Sequence, residues 1–399
     1  VGSVFVVIYD YAFVKKPNPN AMITWAMNEY GKVKTIGLCH GVMYGRWQIS
    51  QALGIPENEL DIICAGINHM TWYIQVKHNG RDMIPELLEA FERHPKFSKG
   101  EKLRIDMMRR LGYYVTESNC HASEYTAWYR KRPGDFNSWM NCPPDCEIES
   151  EDTGAYLLDL YEARDQFEEE YRNLEKEPPY EFTPENRGLE HGSYIVEGLE
   201  TGRLYRGYFN VRNYGCISNL PEDAIVEVPG YIDANGVNIP RVGDLPDGCA
   251  AACLSNITVQ RMAVKAAVTG DDTLLRQAMM FDPLTGAMLT PPEIWQMVDE
   301  MLVEQKEWLP QYRDAIEKAE YRLAHEPRII PKKCVAVPIE HPATLDDYKA
   351  YREKMRAKKA EEERRKAADN VQKTVDSTGL SELLNQTGFK DHSQTEEKK

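Results

Sequence analysis

The sequence predicts an α/β fold built on a mainly parallel sheet. Two observations carry that expectation. Short β-branched runs alternate with helix-forming stretches over residues 4–76, the order expected when helices cover a sheet. Polar residues with ligand chemistry stand where those runs end, and open parallel sheets bind ligands at the carboxyl ends of their strands.

The elements follow in order. Val4-Phe5-Val6-Val7-Ile8 reads as a buried strand. Pro17 and Pro19 mark a loop, and a helix is expected from Ala21 to Tyr30. Lys34-Thr35-Ile36-Gly37-Leu38 forms a second strand ending on Cys39-His40-Gly41, with helix again from Trp47 to Leu53. Asp61 to Ile67 is a third strand that delivers Asn68 and His69, and Thr71 to Val76 a fourth that turns at Asn79-Gly80.

Pro85–Phe91, Gly100–Leu111 and Asp152–Leu174 are the best helices of the middle, followed by a strand-rich stretch from Gly192 to Pro240. A helix from Ile257 to Val268 is stopped by Gly270, and another opened by Pro291-Pro292 runs to Trp308. From Leu345 onward the chain is strongly charged, which reads as a solvated helix fading into a disordered tail.

Composition bounds the function. A chain of 399 residues with 42% hydrophobic residues can bury a sizeable core. A formal net charge of −15 argues against nucleic-acid binding, because phosphate neutralisation needs a basic surface. No apolar run approaches the roughly 20 residues that cross a bilayer, and no signal-peptide pattern opens the chain, so no membrane association and a cytoplasmic location are expected. Nine cysteines without regular spacing do not form a disulfide framework. Cys142 and Cys146 read as structural thiols, and Cys249 and Cys253, one helical turn apart, as a packed helix face.

Three clusters carry chemistry. In Gly37-Leu38-Cys39-His40-Gly41, Cys39 reads as a metal ligand, half of a Cys–His nucleophile pair, or a packed thiol. Adjacent strand residues point to opposite faces, which disfavours the nucleophile pair. In Gly66-Ile67-Asn68-His69-Met70-Thr71-Trp72, a lone His is more commonly a satisfied core residue. A second strand end of the same pattern changes that balance, because neighbouring parallel strands bring their ends together and one Cys with one His leaves positions for substrate oxygens. The third cluster, Thr116 to Arg130, holds Tyr125, either a general base or a packed aromatic with a bonded hydroxyl.

Together these clusters resemble glycoside hydrolase family 4, whose members depart from the usual two-carboxylate mechanism. Further motifs extend the resemblance: Asn18-Pro19 with Ala21, Thr24 and Trp25; Tyr214 to Pro221; Val226-Glu227-Val228-Pro229; Val242 to Pro246; Asp282-Pro283-Leu284; and Trp308-Leu309-Pro310. It is similar to the branch acting on unphosphorylated α-glycosides, α-galactosidases and α-glucosidases, over roughly residues 18 to 315.

The resemblance implies a partial Rossmann-like parallel sheet, residues 1–70, followed by a mixed α+β substrate, metal and oligomerisation domain, residues 71–340, and a charged helix and tail, residues 341–399. It implies NAD and Mn2+ as cofactors, a small-molecule α-glycoside substrate, and a homodimer or homotetramer. By residue it implies Cys39 and His69 as metal ligands, Tyr125 as the base at sugar carbon 2, and His40 as proton donor to the leaving group. Asn18, Asn68 and Asn219 fall at substrate positions. The implied activity is hydrolysis of α-galactosides, with α-glucosides or α-glucuronides as alternatives. No G-x-G-x-x-G follows the opening strand, so cofactor-binding residues are not assigned from sequence, and the family's nucleotide-binding half is expected to be largely missing. That absence motivates another reading, a catalytically silent metal- or sugar-binding remnant.

Overall fold

The computed structural model describes residues 5–9, 19–31, 34–116, 118–129 and 191–329, with single residues and short stretches between 167 and 187 and between 350 and 364. Asn18, Cys142, Cys146 and most of the helix expected over Asp152–Leu174 lie outside the described residues. Packing divides the chain into two units, Val1–Glu151 with Leu174–Pro338, and Asp152–Asn173 with Ile339–Lys399. In the second unit, Phe167 stacks on Tyr171 one helical turn away.

The first unit is built on a sheet whose strands are β1 (Phe5–Tyr9), β2 (Lys34–Leu38), β3 (Leu60–Ile67), β4 (Met70–His78), β5 (Arg81–Asp82), β6 (Tyr205–Arg212), β7 (Ile225–Asp233) and β8 (Gly236–Asn238). They lie in the order β1-β2-β6-β7-β3-β4-β5, with β8 on β7. The α/β class stands, and β1 and β2 are parallel as expected. The expectation of a mainly parallel sheet needs correction. β3 is not the neighbour of β2, because β6 and β7 lie between them and every pairing beyond β1–β2 in the described sheet is antiparallel. The physical reason is local: β3 and β4 are joined by the tight turn Asn68–His69, and strands joined by so short a connection can pair only antiparallel.

Helices cover both faces. α1 (Pro19–Tyr30) contributes Ala21 and Trp25 to one core, and the helix over Asp247–Thr269 contributes Cys249, Cys253 and Ile257. That face holds Ile36, Leu38, Ala65, Ile67, Phe209, Val226 and Val228. On the other face, α2 (Gly41–Leu53) and α3 (Ile84–Arg93) pack Val42, Ile49, Leu87 and Phe91 against Leu60, Ile62, Cys64, Tyr73 and Tyr208. Alternation along the strands separates the two, as Tyr208 and Phe209 show by entering opposite cores. β3 carries an irregularity between Ile63 and Cys64 where its register with β4 shifts.

Two further helices position the site: α4 (Lys102–Leu111) and α5 (Asn119–Glu124). The stretch expected to be strand-rich from Gly192 opens instead on a helix, α6 (His191–Thr201), which buries His191, Ile195 and Gly198. Those residues recur at i, i+4 and i+7, a helical stripe that the surrounding strands mask in a coarse reading. α7 (Asp247–Thr269) is longer than expected, ending at Gly270 with its φ of 72°. Cys249 and Cys253 are buried on one of its faces, as predicted.

Candidate functional site

Strand β2 ends at Leu38, and Cys39 follows at the mouth of α2. The Cys39 side chain is buried, and its Sγ accepts the backbone N–H of Gly41 at 3.3 Å. The positive end of the helix dipole therefore faces the sulfur, an arrangement suited to a thiolate. His40 is exposed while Cys39 is buried, but the strand alternation invoked from the sequence is not the cause, because β2 ends at Leu38 and His40 caps α2 with φ −87° and ψ −11°. The His40 ring stacks on His191 of α6, with centroids 5.4 Å apart, and Nδ1 of His191 shares a hydrogen bond with the Tyr205 hydroxyl.

The second strand end is the β3–β4 turn. Ile67 pairs with Met70, leaving Asn68 and His69 as the turn residues, and His69 takes a left-handed φ of 63°. That conformation is uncommon for a residue other than glycine. Asn68 is fully buried and His69 is 7% exposed. Thr71, just after the turn, donates its N–H to Thr116 Oγ1 at 3.0 Å, and the two hydroxyls meet at 2.6 Å. This bond draws the segment before α5 onto the turn.

α5 is then anchored at its start. Ser118 Oγ caps it by accepting the N–H of His121 at 3.2 Å, and it also bonds His121 Nδ1 at 2.9 Å. Asn119 Oδ1 accepts the Arg104 N–H of α4 at 3.2 Å, and its Nδ2 donates to the Gly100 carbonyl at 2.5 Å. The result sets the His121 ring edge-on to His69, centroids 4.4 Å apart at 72°. Tyr125 closes α5 half-buried, its carbonyl accepting Asn256 Nδ2 of α7 at 3.0 Å.

A group of buried amides joins the two strand ends. Asn20 of α1 donates through Nδ2 to the Leu38 carbonyl at 2.9 Å and to Asn68 Oδ1 at 3.5 Å. Asn210 of β6 donates to the same Asn68 Oδ1 at 2.8 Å. Thr24 Oγ1 donates to Asn20 Oδ1 at 3.4 Å. Asn20, Asn68 and Asn210 are each no more than 1% exposed. The residues just before Cys39 and His69 are thus held to one side chain although β2 and β3 are not neighbours.

Of the residues singled out in the sequence, Cys39, Asn68, His69 and Tyr125 belong to these linked segments, and His40 flanks them. Asn219 does not join the group through its described bonds: its Nδ2 donates to the Leu245 carbonyl at 2.8 Å and its Oδ1 accepts the Leu245 N–H at 3.0 Å. That pairing makes it a tie between two loops. Sequence reading passed over Asn20, His121, His191 and Asn210. Asn20 and His121 stand inside motifs that drew notice for other residues, whereas Asn210 and His191 carry no local signal. Among the described residues no group of three or more His, Cys, Asp or Glu side chains gathers in metal-binding geometry. A metal here would rest on a soft thiolate and an imidazole, with the remaining positions left to substrate or water, a donor set that suits an open catalytic site.

Residues 64–285 match the family 4 glycosyl hydrolase C-terminal domain. The chain is 53% identical over 313 residues to an α-galactosidase of Rhizobium meliloti, covering 78% of this chain and 63% of the relative. It is 34% identical over 304 residues to an α-galactosidase of Bacillus subtilis, covering 76% of this chain and 68% of the relative. The chain therefore spans less than two thirds of the Rhizobium protein's length. Its fold is similar to that of the 6-phospho-β-glucosidase of Thermotoga maritima solved with manganese, NAD+ and glucose-6-phosphate, with a TM-score of 0.53 at 18% identity over 74% of this chain and 66% of that one. By the domain match over more than half its length, and by 34% identity to a relative covered over 68% of its own length, the chain belongs to the family 4 glycosyl hydrolases.

Proposed function

We propose that the protein hydrolyses unphosphorylated α-galactosides by an oxidation–elimination route at the site of Cys39, His69 and Tyr125. The observation that carries the reading is the shared hold of Asn20 on the Leu38 carbonyl and the Asn68 side chain. The galactoside preference is supported by two relatives named α-galactosidase, one at 53% identity. α-Glucosides and α-glucuronides are the alternative substrates.

Cys39 and His69 would hold Mn2+, which when bound supplies a Lewis acid for the oxygens on sugar carbons 2 and 3. NAD, when bound, supplies reversible hydride acceptance at carbon 3, which acidifies the neighbouring C2–H. The described residues include no glycine-rich turn for NAD phosphates, so no residue of this chain is assigned to that cofactor.

The remaining work falls to side chains. Tyr125 takes the proton from carbon 2 through its phenolic oxygen, as general base. His40, exposed beside the site, donates the proton to the departing aglycone oxygen. Asn68 is assigned to a sugar hydroxyl, its amide oriented by the bonds that Asn20 and Asn210 donate to its Oδ1. Asn18 offers a second amide for the sugar, whereas Asn219, whose amide is engaged by the Leu245 backbone, is assigned no sugar contact. Water then adds to the unsaturated sugar and restores the His40 proton, Tyr125 gives its proton back to carbon 2, and return of the hydride to carbon 3 completes a hydrolysis with no net redox change.

The test is hydrolysis of p-nitrophenyl α-galactoside under reducing conditions, after bound metal and cofactor are stripped and NAD+ and Mn2+ are returned singly and together. Full activity should need both, and activity that survives stripping would overturn the route. Tyr125→Phe should keep Mn2+ binding and lose turnover, whereas near-normal turnover refutes the base assignment. The same reading extends to a cytoplasmic homodimer or homotetramer. The buried thiols Cys39, Cys64, Cys216, Cys249 and Cys253 support a reducing compartment.

A further inference from the structure

We infer that Asn20 is a positioning residue: its side chain sets the separation of Cys39 and His69 without touching a metal. The inference rests on the reading of those two residues as a metal pair. In sequence they are far apart, and in the sheet their strands are separated by β6 and β7. Neither β2 nor β3 therefore dictates where the other's end lies. Each strand meets its intervening neighbour through a single register pair, Gly37 with Asn210 and Gly66 with Glu227. The backbone ladder alone leaves the two ends loosely referenced to one another.

Asn20 supplies the missing reference. One amide group has two protons on nitrogen, and here one serves the residue before Cys39 and the other the residue before His69. Its carbonyl oxygen is occupied by Thr24, one turn along α1, which fixes which way the amide faces. Asn20, Asn68 and Asn210 are all buried, where water cannot substitute for a lost partner. Gly37 is part of the same device, since a Cβ there would lie 2.9 Å from Asn20 Cγ and 2.9 Å from Asn210 Cβ. Asn210 steadies Asn68 but does not reach Leu38 by any described bond, so it fixes one end while Asn20 fixes both.

A side chain that served packing alone would alter stability and leave the affinity of the folded protein for metal unchanged. The experiment therefore measures metal binding on the folded full chain. Mn2+ affinity is read from the electron paramagnetic resonance of free Mn2+, and Co2+ is added separately to read the thiolate-to-cobalt charge-transfer band. Asn20→Ala should weaken Mn2+ binding about 10- to 100-fold, the range seen when residues that orient metal ligands are removed, and should diminish the cobalt band. Asn20→Asp should weaken it further, because a carboxylate turns an acceptor toward the Leu38 carbonyl and Asn68 Oδ1. Asn210→Ala should lose less than Asn20→Ala.

Thr24→Val, which replaces the hydroxyl by a methyl group of similar shape and so removes the donor to Asn20 Oδ1, should give a smaller loss in the same direction and keeps the question open to measurement if Asn20→Ala does not fold. Cys39→Ala and His69→Ala separate the two levels of the argument. If neither weakens binding, the metal-pair reading fails and Asn20 has nothing to position. If both abolish binding while Asn20→Ala and Thr24→Val keep wild-type affinity and an unchanged cobalt band, the metal site stands and the role of Asn20 is refuted.

Discussion

Gly37→Ala tests the same geometry from the other side, through packing. Gly37 sits within β2 opposite Asn210, and it is not among the glycines with positive φ, so alanine meets no backbone penalty there. Relative to glycine in a strand, alanine even offers roughly 0.5–1 kcal/mol. The added methyl, however, would lie 2.9 Å from Asn20 Cγ and closer still to Asn20 Oδ1. Asn20 must swing away and release its bonds to Leu38 and Asn68. A buried polar group left without its partner costs about 1–3 kcal/mol, and overpacking a tight core adds about 1–3 kcal/mol. The net expectation is a loss of about 3 kcal/mol, which in a domain of this size lowers the unfolding midpoint by about 5–10 °C.

The assay is thermal and urea unfolding of wild type, Gly37→Ala, Asn20→Ala and the double variant. In the Asn20→Ala background the clash with Asn20 is gone and only the 2.9 Å approach to Asn210 Cβ remains, so Gly37→Ala should there cost about 1–2 kcal/mol, a coupling of about 1–2 kcal/mol. Strict additivity of the two substitutions, or a Gly37→Ala protein as stable as wild type, would refute the account of the amide group.

Other expectations follow from the same structure. Ser118→Ala removes the cap of α5 and should cost about 1 kcal/mol in urea unfolding. Because Ser118 also holds His121 beside His69, turnover should fall by more than the stability loss explains. Arg104, fully buried, joins Glu101, Gln48 and the Val115 carbonyl, so Arg104→Leu should destabilise by about 3–5 kcal/mol as a buried ion pair loses one partner. Burial raises the Asp299 carboxyl, but hydrogen bonds from Arg322 and Arg276 outweigh it and hold the group below its ordinary range. A depressed folded value means its stabilisation is present above the unfolded value of about 3.9 and fades as pH falls through the folded one. Asp299→Asn should therefore be less stable near neutrality and show a shallower loss of stability in acid unfolding below about pH 4.

The chemistry of the chain was written locally. β2 ends on Cys39 and β3 on Asn68-His69 at the positions their β-branched patterns predict, and Gly270 stops its helix as expected. Such features depend on residues within a few positions of one another, so periodicity and end signals suffice to read them. The α/β class was legible for the same reason, as were the buried thiols of α7.

The order of the strands was decided by tertiary structure. Residues 205–233 come late in the chain yet insert between β2 and β3, and α6 hides a helical stripe among strands. The amide group shows the limit most clearly. Asn68 meets Asn20 across 48 residues and Asn210 across 142, and no spacing rule links positions so distant. The sequence by itself determined which side chains could ligate a metal and where on their strands they stand. Only the packed sheet, by bringing buried amides from α1, the β3–β4 turn and β6 into one set of hydrogen bonds, decided how those ends are held together.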